Sequence, residues 1–158
     1  FRPERWFWSG GLAAEQNDEL GIDLRLTGSG GAGRFILQTQ RTEMYLLSGL
    51  AVTQEFTRSD ETGNSNDSAN LEGLAAFNWT FFELYSPKSR VNFSAILRPS
   101  LTDSGRWRSN IKLNMRQELY FDDLFLDLDI YYDYDNKPPP GANAKDDYGL
   151  ITSIGYEF

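Results

Sequence analysis

An all-β fold, an antiparallel up-and-down β-barrel, is what this sequence predicts, and three observations predict it. Apolar and polar residues alternate with a period of two along the chain, and no stripe with the 3.6-residue spacing of a helix competes with them. The alternating stretches are joined by short polar or Gly- and Pro-containing segments of the kind that link antiparallel neighbours. Two of the stretches, 106–121 and 124–135, are long enough to cross a bilayer at a tilt, where about 9–11 residues suffice.

Taken in order, the alternation predicts nine strands. Residues 6–16 put Trp6, Trp8, Leu12 and Ala14 on one face, and Asn17-Asp18 turns the chain. In 20–27, Leu20, Ile22, Leu24 and Leu26 alternate with Gly21, Asp23, Arg25 and Thr27. The glycine-rich segment 28–33 is expected to be a flexible connection; it has no Lys-Ser/Thr of a phosphate-binding loop and opens no helix. The third strand covers 34–41, and the fourth, 44–57, has two faces that could each be apolar as far as Gln54-Glu55. Residues 59–70 are a loop by composition. In the fifth strand, 71–84, Phe77, Trp79 and Phe81 oppose Glu72, Asn78 and Thr80; 86–89 then turn. The sixth, 90–102, sets Val91, Phe93 and Leu97 against Arg90, Asn92 and Arg98, with Pro99 marking a bulge near a rim.

After a short turn at 103–105, the seventh strand, 106–121, carries Arg106, Arg108, Lys112 and Arg116 on one face. The eighth, 124–135, carries Asp127, Asp129, Asp133 and Asp135 on one face and Leu126, Leu128, Ile130 and Tyr132 on the other. Three consecutive prolines exclude a strand from 136–146. The ninth strand, 148–158, places Tyr148, Leu150, Ile154, Tyr156 and Phe158 on one face, and small or polar residues with Ile151 on the other.

Composition narrows the chemistry. At 158 residues the chain is read as a single domain over 1–158, with 15% aromatic residues and a net charge of -8. An acidic chain without a basic block argues against nucleic acid as a partner. There is no Cys and no His, which removes thiol chemistry, the commonest general base and the commonest transition-metal ligand. No apolar run is long enough for a membrane helix, and the segment from Phe1 to Trp8 lacks the apolar core of a signal peptide. A mean hydropathy of -0.50 is compatible with a membrane barrel, whose strands alternate. The acidic groups at Asp133/Asp135 with Asp146/Asp147, and at Asp60/Glu61/Asp67, lack EF-hand spacing and read as solvated loops. No catalytic residue, metal or cofactor is expected, and the protein is not expected to be an enzyme.

Alternation alone does not separate a soluble sandwich or lipocalin-like barrel from a membrane barrel, because the two invert the same pattern. Strand length favours the membrane barrel. So do aromatic residues at strand ends (Trp107, Phe121, Tyr132, Tyr134, Tyr148 and Tyr156), as an interfacial girdle would require. Complementary charge favours it too. Arg106, Arg108, Lys112, Arg116, Asp127, Asp129, Asp133 and Asp135 are expected to line a lumen. If Asp122-Asp123 is a two-residue turn, Arg116 faces Asp129 and Lys112 faces Asp133, each pair contributing roughly 0.2–1 kcal/mol.

The ending 148–158 resembles the closing strand of a bacterial outer-membrane β-barrel. That resemblance implies that Tyr156 and Phe158 form a signal for the insertion machinery and that the C-terminus is periplasmic. The long connections at 58–70 and 136–146 then both fall outside. An odd count puts Phe1 outside as well, so one or more strands are expected upstream, giving a barrel of 10–12 strands. Three segments, Arg98-Pro-Ser-Leu-Thr-Asp-Ser-Gly-Arg-Trp-Arg108, Tyr132-Asp-Tyr-Asp-Asn-Lys-Pro-Pro-Pro-Gly-Ala142 and the ending from Asp147, together resemble the YdiY-like salt-induced outer-membrane protein family of Gram-negative bacteria. The resemblance implies an outer-membrane location and carries no catalytic motif. Two functions follow as expectations, with a soluble lipocalin-like binding barrel as a third. One is a small pore with a charged lumen. The other is a structural barrel that presents its loops or its edge to a protein partner. Outer-membrane lipid is a partner in either case.

Overall fold

The computed structural model describes residues 5–17, 22–56, 68–83, 87–119, 124–138, 142 and 144–156. They form one eight-stranded antiparallel sheet in which every strand pairs with its sequence neighbours. The strands are β1 (Trp6–Asn17), β2 (Ile22–Gln38), β3 (Thr42–Phe56), β4 (Ser68–Glu83), β5 (Ser89–Pro99), β6 (Trp107–Glu118), β7 (Leu124–Asp135) and β8 (Asp146–Tyr156). The all-β, up-and-down reading is right, and there are eight strands rather than nine among the described residues.

The difference lies in β2. Residues 28–33 are not a connection but the middle of a strand that pairs with β1 on one side and β3 on the other. Glycine is a poor strand former by itself, yet it is favoured where two backbones approach closely. A Cβ on Gly49 would lie 2.2 Å from the carbonyl oxygen of Gly30, and one on Gly31 would lie 2.5 Å from that of Ser48. Gly33 leaves room for the Phe7 ring, which would be 2.2 Å from its Cβ. Fusing the two predicted strands changes the parity. β1 now begins at the end of the sheet where β8 finishes, so the odd-count argument for upstream strands no longer applies. Connection 18–21 moves to the end that carries 57–67, 100–106 and 136–145. Connections 39–41, 84–88 and 119–123, each shorter than 57–67, 100–106 and 136–145, share the opposite end.

A second correction concerns β6 and β7. Arg116 is opposite Asp127, Asn114 opposite Asp129, and Lys112 opposite Tyr131. The Leu119 amide donates to the Leu124 carbonyl, so the connection is longer than the two-residue turn predicted at Asp122-Asp123, which lies outside the described residues. A shift of two residues leaves every side chain on its predicted face and changes only its partner. The expected Arg116–Asp129 and Lys112–Asp133 pairs are therefore replaced.

The sheet curls so that strands distant in order meet across its concave side: Arg25 of β2 reaches Asp135 of β7 at 3.5 Å. Among the described residues no ladder joins β8 back to β1. The concave side carries most of the charged side chains, buried toward the end with the longer connections and open at Lys112 and Arg116, whereas the outer face is apolar and exposed. Glu55, Glu72, Arg108 and Asp135 are at most 3% exposed, while Leu12, Leu50 and Ile154 are 93%, 54% and 69% exposed. In β3, whose faces were ambiguous in sequence, Leu46, Leu50 and Val52 point out and Ala51, Thr53 and Glu55 point in. Pro99 closes β5 opposite Trp107, at the rim.

Candidate functional site

The interior is a charged chamber, and its staves differ in sign. From β5 and β6 the inward side chains include Arg90, Arg98, Arg108, Lys112 and Arg116, with one carboxylate, Glu118, at the far end of β6 beside Lys88. From β7 and β8 they include Asp127, Asp129, Asp133, Asp135 and Asp147, with no cation. The period of two makes this possible, because every second residue of a strand shares a face.

At the end carrying the longer connections, a buried network spans the chamber. Arg108 donates from Nε to Glu72 Oε1 at 3.0 Å and from Nη2 to the Thr53 hydroxyl at 3.1 Å; that hydroxyl donates in turn to Glu72 Oε2 at 3.1 Å. Arg106 bridges Asp135 at 2.6 Å and Glu55 at 2.9 Å. Arg25 completes the group, 2.8 Å from Glu55 and 3.3 Å from Glu15. Arg106 was expected on a strand but precedes β6. Gly105, at φ 78°, allows the tight turn before it. The Gly105 carbonyl accepts from Asn136 Nδ2 at 2.7 Å, so the 100–106 connection is tied to the end of β7. Burial disfavours the Arg106 charge, but its hydrogen bonds to Asp135 and Glu55, with their charges, outweigh it and raise the guanidinium pKa. This arginine stays ionised.

Further along, Arg116 donates to Asp127 at 2.8 Å and lies over the Phe125 ring, 4.1 Å from its centre. Asp129 accepts from Asn114, and Asp133 from Asn110 at 2.6 Å. Arg98 donates through Nη1 to Asn110, while its Nε is buried with no partner among the described residues. Lys112 makes no hydrogen bond or ion pair among them. These groups surround a partly open cavity of about 610 Å³, which meets a second one of about 460 Å³ at Asn114 and Asp129. Inward rings lie over glycines of the neighbouring strand, Tyr131 on Gly149 and Phe125 on Gly155, and so fill space the glycines vacate.

All eight charged residues singled out in sequence thus lie on the concave side. Sequence reasoning missed their partners Arg25, Glu55 and Glu72. Each was visible as a polar residue on an alternating strand, but only the curl of the sheet brings it to β6 and β7. Of the aromatic residues, Trp107 and Tyr134 pack with ring centres 4.8 Å apart, and Tyr132 pairs with Tyr148 across the ladder near the same end. Tyr156 is exposed at the other end, joined by Trp6, which carries the Arg34 guanidinium 5.6 Å from its ring centre. Phe121, Phe158 and the Asp60/Glu61/Asp67 group lie outside the described residues. Among those residues no group of three acidic side chains could hold a metal ion.

A single up-and-down antiparallel sheet, curled with its charges inward and its apolar side chains outward, defines the class of protein. The chain belongs to the DUF481 family, a family of unknown function that corresponds to the YdiY-like proteins, and the match covers residues 1–158. No curated protein and no solved structure matches it significantly.

Proposed function

We propose that the protein is an outer-membrane β-barrel of a Gram-negative bacterium, with its C-terminus on the periplasmic side. The inverted faces carry this reading. In water, an outer surface built from Leu12, Leu50, Val52, Leu150 and Ile154 would be an apolar patch of the kind that associates. In hydrocarbon it is matched to its solvent. Every strand has at least 11 residues, enough for a tilted crossing. Outer-membrane lipid is the first partner. The insertion machinery, reading Tyr156 and Phe158, is the second. Unpaired strand edges are not tolerated in lipid. The edges of β1 and β8 are therefore where the barrel closes or receives a protein partner.

Within this reading the lumen is occluded. An eight-stranded barrel is just wide enough for side chains to fill it or for one small ligand. The Arg25–Glu55–Arg106–Asp135 and Arg108–Glu72 groups fill it at the outer end. The geometry thus favours the non-conducting barrel over the pore. The pore is kept as a second reading because Arg106, which bridges Glu55 and Asp135, belongs to a connection rather than a strand. The reading includes no enzymatic step.

The chain has no native Cys, so single cysteines carrying spin labels report their surroundings cleanly. In reconstituted vesicles a label at Leu50→Cys is expected to relax with oxygen and one at Lys112→Cys with an aqueous reagent. A label at position 50 that is water-accessible refutes the membrane reading. Planar-bilayer recording is expected to show no steady current; sustained conductance by the wild-type protein restores the pore.

A further inference from the structure

The cavity below the buried network combines features that a merely space-filling interior does not need. Its volume of about 610 Å³ lies within the roughly 300–1,000 Å³ of small-molecule sites. Its charges are separated by sector: Arg98 and Lys112 come from β5 and β6, while Asp129 and Asp133 of β7, Asp147 of β8 and Glu15 of β1, which is bonded to Arg25, supply the carboxylates. The cations have unused donors. Lys112 has no hydrogen-bond or ion-pair partner among the described residues, and the buried Arg98 Nε–H has none either. Local pairing does not explain this, since the adjacent carboxylates are hydrogen-bonded to neutral Asn110 and Asn114 rather than to the lysine beside them. A buried guanidinium N–H without an acceptor is destabilising.

We propose that this cavity binds a small zwitterion, an amino acid or a short peptide. Its carboxylate meets Lys112 and Arg98, and its ammonium group meets Asp133 and Asp129. A simple anion satisfies the cations but faces the aspartates. A simple cation does the reverse and leaves Arg98 and Lys112 unpaired. A molecule with both charges in one short frame meets both sectors. The inference rests on the chamber's geometry and not on its membrane setting, although in an outer-membrane barrel it would make the protein a holder of small solutes rather than a conduit.

The test is isothermal titration of the purified, detergent-solubilised full chain with L-alanyl-L-alanine, its N-acetylated form (an anion) and its C-terminal amide (a cation). Saturable binding of the dipeptide, at least about tenfold tighter than either analogue, is expected. Lys112→Gln removes an exposed side chain with no hydrogen bond or ion pair among the described residues, so folding checked by circular dichroism is expected to be retained. It is expected to weaken the dipeptide about tenfold and leave the amide unchanged, while Asp133→Asn shows the opposite selectivity. Absence of saturable binding to the wild type overturns the proposal. So does an amide that binds as tightly as the dipeptide, which would reduce the cavity to a trap for cations. So does a folded Lys112→Gln chain with unchanged dipeptide affinity. Failure of the membrane reading would show separately, in the vesicle measurement, and leaves the titration interpretable.

Discussion

Removing Glu72 alone should be far more damaging than removing Glu72 together with Arg108. Both side chains are buried, at 1% and 3% exposure, and Arg108 spends its Nε and Nη2 donors on Glu72 and Thr53. Replacing Glu72 by Met leaves a guanidinium sealed from water with only the Thr53 hydroxyl of its present hydrogen-bond partners. Breaking one partner of a buried pair costs about 3–5 kcal/mol, whereas replacing both with apolar groups is often neutral. The coupling energy of the cycle Glu72→Met, Arg108→Met and the double variant is therefore expected to be several kcal/mol. The assay is urea unfolding of reconstituted protein, followed by the fluorescence of its four tryptophans. Each single variant should lose about 3–5 kcal/mol and the double variant about 1 or less. Additive losses would mean that the two side chains do not interact in the folded protein. Losses below about 1 kcal/mol for both single variants would mean that water reaches the pair, and the occluded end of the chamber would be disproved with it.

Two further predictions concern the wall rather than the charges. Gly49→Ala should cost more than Gly33→Ala, because the new methyl meets the Gly30 backbone in the first case and a Phe7 ring that can turn in the second. Overpacking of this kind costs about 1–3 kcal/mol, and Gly10→Ala, with 3.7 Å to its nearest neighbour, should be close to neutral in the same unfolding assay. The β6–β7 register is open to disulfide trapping: Asn114→Cys with Asp129→Cys should cross-link under mild oxidation, and Arg116→Cys with Asp129→Cys should not. Efficient cross-linking of the second pair alone would restore the two-residue turn.

What could be read from the sequence was local. A strand's face follows from its own alternation, so the inward placement of Lys112, Arg116, Asp127 and Asp133 is legible in the residues of their own two strands. The Gly28–Gly33 segment was misread because its reason for being a strand lies in its neighbours. β1 and β3 supply its hydrogen bonds, and Ser48 and Gly49 leave no room for a larger residue. That one error turned an even count into an odd one and assigned the start of β1 to the wrong end of the sheet. The β6–β7 register was misjudged because a two-residue slip is invisible to facial patterning. The network of Arg25, Glu55 and Arg106 was out of reach for a third reason. Its members are 30 and 51 residues apart in sequence, and only the curvature of the whole sheet brings them together.

The charge pattern has a further consequence for how the wall assembles. In the hairpin of β5 and β6, Arg90 lies opposite Arg116 and Arg98 opposite Arg108. In that of β7 and β8, Asp133 lies opposite Asp147. Like charges directly opposite are destabilising, so each hairpin by itself is electrostatically strained along its inner face. The strain is relieved at boundaries between hairpins: Arg116 turns to Asp127 across β6–β7, Arg108 to Glu72 of β4, and Arg106 to Asp135. Each contact that neutralises one hairpin belongs to another. A hairpin that has formed its own ladder still lacks its counter-charges until its neighbour arrives. The inner face therefore rewards the complete curl over any part of it, and the segregation that shapes the cavity is the same property that makes the staves interdependent.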